Sequence, residues 1–179
     1  KGSSRANLWL ATLTTIQPDI TPEQKTAAVA YAKKASDAGQ VKAMRMYGMM
    51  VDQGYGVTKD QVTGSALILK AALAGEQDAQ FIMAQKYRYG IGVKQDPVEA
   101  LSWARTCAQY SNVQCMQSAG ELVLEVQPDG GDAMIKEAVR YVINMSTRDE
   151  AAAKSLVETL QSGTTMPFSE LMRMAGYNQ

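Results

Sequence analysis

Histidine is absent from the 179 residues, and no other gap in the composition removes more chemistry. Ser-His-Asp and Cys-His arrangements are excluded at once, and so are histidine-bearing zinc sites. Only two cysteines occur, Cys107 and Cys115, at a spacing that fits neither a C-x-x-C redox motif nor a zinc ligand pair. No serine is followed by lysine three positions on, so the S-x-x-K signature of penicillin-recognising enzymes is missing. Net charge is missing too: 18 basic and 18 acidic residues cancel, leaving no basic field for nucleic acid or an anionic membrane. No stretch approaches the roughly 20 apolar residues of a membrane helix, and the early segment NLWLATL lacks the flanks of a signal peptide. Aromatic residues make up 7% of the chain; 11 methionines and many alanines suit close-packed helices better than a β-sandwich.

What is present is a repeated phrase. DQGYGVTKDQ at 52–61 and RYGIGVKQDP at 88–97 overlay with Gly54 on Gly90, Gly56 on Gly92, Val57 on Val93 and Asp60 on Asp96, all at an offset of 36 residues. A constant offset marks a tandem repeat. The same frame aligns Ala35, Ala71 and Cys107; Gly39 and Gly75; Ala43, Ala79, Cys115 and Ala151; and Asp60, Asp96 and Asp132. It predicts four repeats over about 7–42, 43–78, 79–114 and 115–150, with capping helices over 151–179, as one domain.

Each repeat reads as two helices, A and B. Thr21-Pro22-Glu23-Gln24 supplies an N-cap threonine, a proline at the first helical position and a capping-box glutamine. Asp60, Asp96 and Asp132 recur where an acidic side chain accepts bonds from free amides at a B-helix start. The paired Asp149 and Glu150 stand at another predicted helix start, where the dipole accounts for them. The G-x-G pairs lie where the chain turns between helices; without a preceding strand they do not form a dinucleotide fingerprint.

The stretch from Ala43 to Ala108, with its G-x-G-V turn, following acid, large B-helix residue and A-x-x-G turn, resembles the Sel-one-like repeat family. The large column reads Tyr31, Leu67, Trp103 and Val139, and the outer repeats depart from the pattern, with Pro18 at the first glycine position and VQPDGGDA replacing the fourth turn. The resemblance implies an all-α fold, a right-handed α-solenoid of about four helical hairpins akin to tetratricopeptide repeats. A C-terminal capping helix would use Phe168, Leu171, Met172 and Met174 to cover the last hairpin, since terminal repeats of a solenoid must face water.

Cys107 and Cys115 occupy columns that hold alanine in the central repeats, where helices approach closely. Along one continuous helix they would stand about 12 Å apart, beyond disulfide reach. A turn around Tyr110, Ser111 and Asn112 lets the second helix fold back and bring the sulfurs together. Two reduced, buried, alanine-sized residues satisfy the same columns. The resemblance favours the bridge, because cysteine-rich members pair cysteines at this spacing. A bridged chain belongs in an oxidising compartment, which points to a periplasmic or secreted location.

The expected site is a groove for another protein. With Ala79, Met83 and Tyr87 facing the core, Phe81, Gln85 and Arg88 face the opposite side of the A helix, which lines the concave groove in solenoids of this class. The equivalent columns are Arg45, Phe81 and Gln117; Met49, Gln85 and Glu121; and Asp52, Arg88 and Leu124. Aromatic, methionine and arginine side chains are common interface anchors, although an ordinary solvated face with one phenylalanine fits the same columns. Tyr55 and Ile91 in the turns form a second candidate edge. The resemblance implies a non-enzymatic binding protein without metal or cofactor. Small periplasmic members include immunity proteins that neutralise secreted antibacterial lipase effectors, and this is the expected role. An envelope regulator or scaffold with several protein partners is the alternative, and an enzyme acting on β-lactams or peptidoglycan precursors has family precedent alone.

Overall fold

A computed structural model describes residues 4–15, 19–126, 131–163, 167, 169–170 and 173. Nine helices and no strand occur among the described residues, as the all-α expectation requires. They gather into two compact units, Lys1–Gln95 and Asp96–Gln179.

The first unit holds α1 (Ser4–Thr15), α2 (Pro22–Asp37), α3 (Val41–Gln53), α4 (Gln61–Leu73) and α5 (Gln77–Tyr89), each packed on the next. The local signals act as chemistry demands. Gln24 N donates to the Thr21 hydroxyl while Thr21 N donates to the Gln24 side chain, closing the capping box of α2. Asp60 accepts from the amides of Val62 and Thr63 and starts α4. Small residues then bring the helices together: Ala28, Val29, Ala32, Ala11 and Met50 form a buried cluster, over which Tyr31, Met46, Tyr47 and Tyr55 pack.

The G-x-G phrase has a packing cause. After α3 the chain turns over the start of α2, and a Cβ on Gly56 would fall 2.5 Å from the Lys25 carbonyl carbon. One repeat on, a Cβ on Gly92 would collide with the Gln61 carbonyl oxygen of α4, and Ser65 donates to the Ile91 carbonyl at 3.2 Å in the same turn. Both glycines adopt positive φ, 66° and 71°. Each turn is therefore seated on the B helix of the preceding repeat, where only a residue without a side chain fits.

The second unit holds α6 (Pro97–Ala108), α7 (Val113–Val126), α8 (Gly131–Ser146) and α9 (Glu150–Gly163). Asp96 caps α6 through the amides of Val98 and Glu99, and Asp149 accepts from the Ala152 amide at the start of α9. The Asp132 side chain, Pro18, residues 127–130, Phe168, Leu171, Met172 and Met174 lie outside the described residues. One column fails. Ala151, expected to be buried beside Ala43, Ala79 and Cys115, is exposed, and Ala153, Leu156 and Leu160 are buried instead. The reason is tertiary: α9 packs on α7 as well as on α8, and Leu156 drops onto Gly120, where a Cβ would lie 2.5 Å from the leucine Cδ2. This contact turns α9 so that the positions equivalent to Phe81 and Arg88 point inward.

Candidate protein-binding surface

The first unit assembles the central part of the predicted surface from α3 and α5. Arg45 Nε donates to Glu76 Oε2 at 2.9 Å, and its Nη2 stands 2.9 Å from Asp78 Oδ2. Glu76 also caps α5, accepting from the Ala79 amide at 2.6 Å, so one carboxylate fixes both the helix start and the arginine. At the other end of the two helices, Lys86 Nζ donates to Asp52 Oδ1 at 2.5 Å, with only 5% of the lysine side chain exposed. Lys86 also reaches the Ile91 carbonyl, which ties this pair to the seated turn.

Between these two ionic clamps lie Met49, one turn beyond Arg45, and Phe81 and Gln85, on the turns of α5 that follow Asp78. All three are half-buried. Met49 contacts Arg45 through its sulfur at 3.6 Å. Arg88 follows on α5, its guanidinium 5.5 Å from the Tyr89 ring and its carbonyl accepting from Gln95. The structure thus brings Arg45, Met49, Asp52, Phe81, Gln85 and Arg88 onto two clamped helices. Gln117 and Glu121 lie in the second unit, one turn apart on α7, where Gln117 donates to Glu121 at 3.2 Å. Of the turn residues, Tyr55 packs against the core cluster with Lys25 over its ring at 5.5 Å, whereas Ile91 is 38% exposed.

Sequence reasoning missed Glu76, Asp78 and Lys86. Lys86 carried a signal: it shares a column with Met50 and Leu122, both buried, so a charge there demands a partner.

In the second unit the two cysteines form a disulfide, with Cα atoms 5.6 Å apart and both side chains buried, so the reduced pair is set aside. The bridge spans a turn with an unusual member. Gly39 and Gly75 adopt left-handed φ of 86° and 87°, and the equivalent Ser111 adopts 60° despite its side chain. Asn112 accepts from the Cys115 amide at 3.1 Å and starts α7. The disulfide closes the turn in which this column changes from glycine to serine.

A further ionic clamp, in the second unit, links α6 to α8. Arg105 donates Nε to Glu137 Oε1 at 2.8 Å and Nη2 to Oε2 at 2.7 Å, and the Tyr141 hydroxyl adds a bond to Oε1 at 3.1 Å. Burial works against the Glu137 charge, yet the Arg105 bonds and charge, with the Tyr141 hydroxyl and Arg140, hold its carboxyl below the usual range. Burial and the neighbouring carboxylate push Tyr141 up to about 12. Among the described residues no cluster of three or more Cys, Asp or Glu could hold a metal ion, and no helix is long and apolar enough to cross a membrane.

Stacked helical hairpins with a repeated, glycine-seated turn define a class, the helical-repeat solenoids. The family model for the Sel1 repeat matches residues 17–40, 41–76 and 77–106, and the chain belongs to the Sel1 repeat family, whose hairpins form protein-binding solenoids. Among solved structures it is similar to a Sel1 repeat protein from Oxalobacter formigenes, with a TM-score of 0.75 and 22% identity over 96% of this chain and 71% of that one. It is also similar to c5321, a protective antigen of uropathogenic Escherichia coli strains displaying an SLR fold, with a TM-score of 0.67 and 20% identity over 98% of this chain and 46% of that one. These likenesses establish the fold. The uncharacterized protein NMB1327 of Neisseria meningitidis serogroup B is 32% identical over 75 residues, 42% of this chain; the match takes in 16% of that protein's length.

Proposed function

We propose that this chain is a non-enzymatic inhibitor, an immunity protein that binds a secreted antibacterial effector of lipase type in the periplasm or outside the cell. The observation that carries the reading is the surface between the two clamps on α3 and α5. Met49, Phe81 and Gln85 are held on a pair of helices whose charged neighbours are already satisfied by Glu76, Asp78 and Lys86. A partner there meets an apolar and amide centre within a preorganised charged rim, the anatomy of a protein interface. Arg88 extends that surface; Gln117 and Glu121, paired on α7 of the second unit, are proposed as partner contacts of that unit. The Cys107–Cys115 disulfide supports an oxidising compartment.

The test is affinity capture from envelope and culture-supernatant extracts, with a Phe81→Ala/Arg88→Ala variant alongside the parent chain. The expected result is one dominant partner with lipase activity, abolished at a one-to-one ratio by the parent chain and not by the variant. Several weak partners would replace the inhibitor with an envelope scaffold. Equal capture by the variant would move the binding surface away from α3 and α5.

A further inference from the structure

The outer face of α8 holds an unbalanced row of cations. Lys136 and Arg140 stand one helical turn apart, Asn144 follows at the same interval, and Arg148 lies beyond the helix end. All four are exposed. Two adjoining hollows of about 370 and 280 Å3 run along this row and share Tyr141 and Asn144. The acid lining the larger hollow is Glu137, whose two oxygens are taken by Arg105 and Tyr141. Arg148 spends one donor on the Asn144 carbonyl, and among the described side chains Lys136, Arg140 and Arg148 form no direct ion pair, Arg140 acting on Glu137 only through its charge.

We propose that this face of α8 docks an extended acidic segment of a partner protein, with carboxylates at alternate residues. Positions four apart on a helix rise by about 6 Å, and alternate residues of an extended chain are spaced by about 6.6 Å. A strand laid along α8 therefore sets successive acidic side chains against Lys136 and Arg140 and the next against Asn144. Glu137 disfavours a uniform polyanion: it stands beside the row next to Lys136, where a continuous phosphate backbone would pass close to a carboxylate. An alternating peptide presents a neutral residue there. Tyr141 and Ala133 supply the apolar contact beside it. This surface is in the second unit and does not depend on the α3 and α5 reading.

The experiment uses the full chain and a fluorescein-labelled peptide alternating glutamate and serine, followed by anisotropy at low salt. Binding is expected to weaken roughly tenfold in Lys136→Gln/Arg140→Gln and to fall further with added salt. It should persist in Lys136→Arg/Arg140→Lys, in the α2 control Lys33→Gln/Lys34→Gln and in Phe81→Ala/Arg88→Ala. Amide shifts in nuclear magnetic resonance spectra of the unmodified chain should concentrate in 133–148, a readout that needs no variant. Absence of binding, equal weakening by the α2 control, shifts centred elsewhere, or tighter binding of oligothymidylate of equal charge would each overturn the proposal.

Discussion

Asp52 and Lys86 meet across α3 and α5 at 2.5 Å, 34 residues apart in the chain, with the lysine almost wholly enclosed. A lone charge left in such a place costs far more than the pair contributes. Lys86→Met is expected to lower stability by roughly 2 to 3 kcal/mol, below the range for fully buried pairs because water still reaches Asp52. Asp52→Leu/Lys86→Met should recover to within about 1 kcal/mol of the parent. Urea midpoints of the three proteins check both values; equal losses in single and double variants would show that the pair itself is stabilising.

Removing the clasp in Cys107→Ala/Cys115→Ala should cost about 2 to 3 kcal/mol, the loop-closure effect expected of so short a loop. Intact mass gives the prior check: the unreduced chain should weigh about two daltons less than the reduced one, for the two hydrogens lost on bond formation.

Ser111 pays a conformational cost that its glycine counterparts avoid. Ser111→Gly is expected to stabilise by about 0.5 kcal/mol, the relief of left-handed strain less the extra freedom of the unfolded chain. Thermal melting of reduced and oxidised forms measures it. A lower melting temperature in both would mean that the serine side chain contributes a contact outweighing the strain.

Gly92→Ala should destabilise by about 2 kcal/mol or more, because the new Cβ meets the Gln61 carbonyl as well as an unfavourable φ. Gly75→Ala, also at positive φ but with open space around the position, should cost only about 1 kcal/mol. Denaturant titration of the two variants separates collision from conformation.

The clamp between α6 and α8 makes stability depend on pH at both extremes. Glu137 titrates below its ordinary 4.5 in the fold, so its contribution is complete above that value and disappears as acid protonates the folded carboxylate. Tyr141 is raised from 10.0 to about 12, so its contribution is complete below pH 10 and declines as pH rises towards 12. In Glu137→Gln the acid-side loss should flatten, and in Tyr141→Phe the alkaline-side loss should. Unchanged pH profiles in both would remove this clamp as their cause.

The legible part of the fold was its local chemistry. Thr21 with Gln24, Asp60 and Asp96 cap helices through bonds that span two or three residues, and such bonds are visible wherever the residues stand at that spacing. The glycine turns were legible as turns, while their seating on Lys25 and Gln61 required the neighbouring helix to be in place. The helix after the fourth repeat misled for the same reason: periodicity puts Ala151 inward, but Gly120 admits Leu156 and α9 rotates to suit. Around the candidate site, Glu76, Asp78 and Lys86 act through pairings more than 30 residues long in sequence, which helical period does not record. Long-range pairing leaves no period to read.

The seated turn also bears on how such a chain can lengthen. Gly56 rests on Lys25 and Gly92 on Gln61 at the same separation, so both halves of each joint travel together under the 36-residue frame. Copying any window of that length, wherever the copy begins, recreates one complete joint, either within a copy or across two neighbouring copies. Recombination need not respect helix boundaries to yield a foldable product; it needs only to conserve the count.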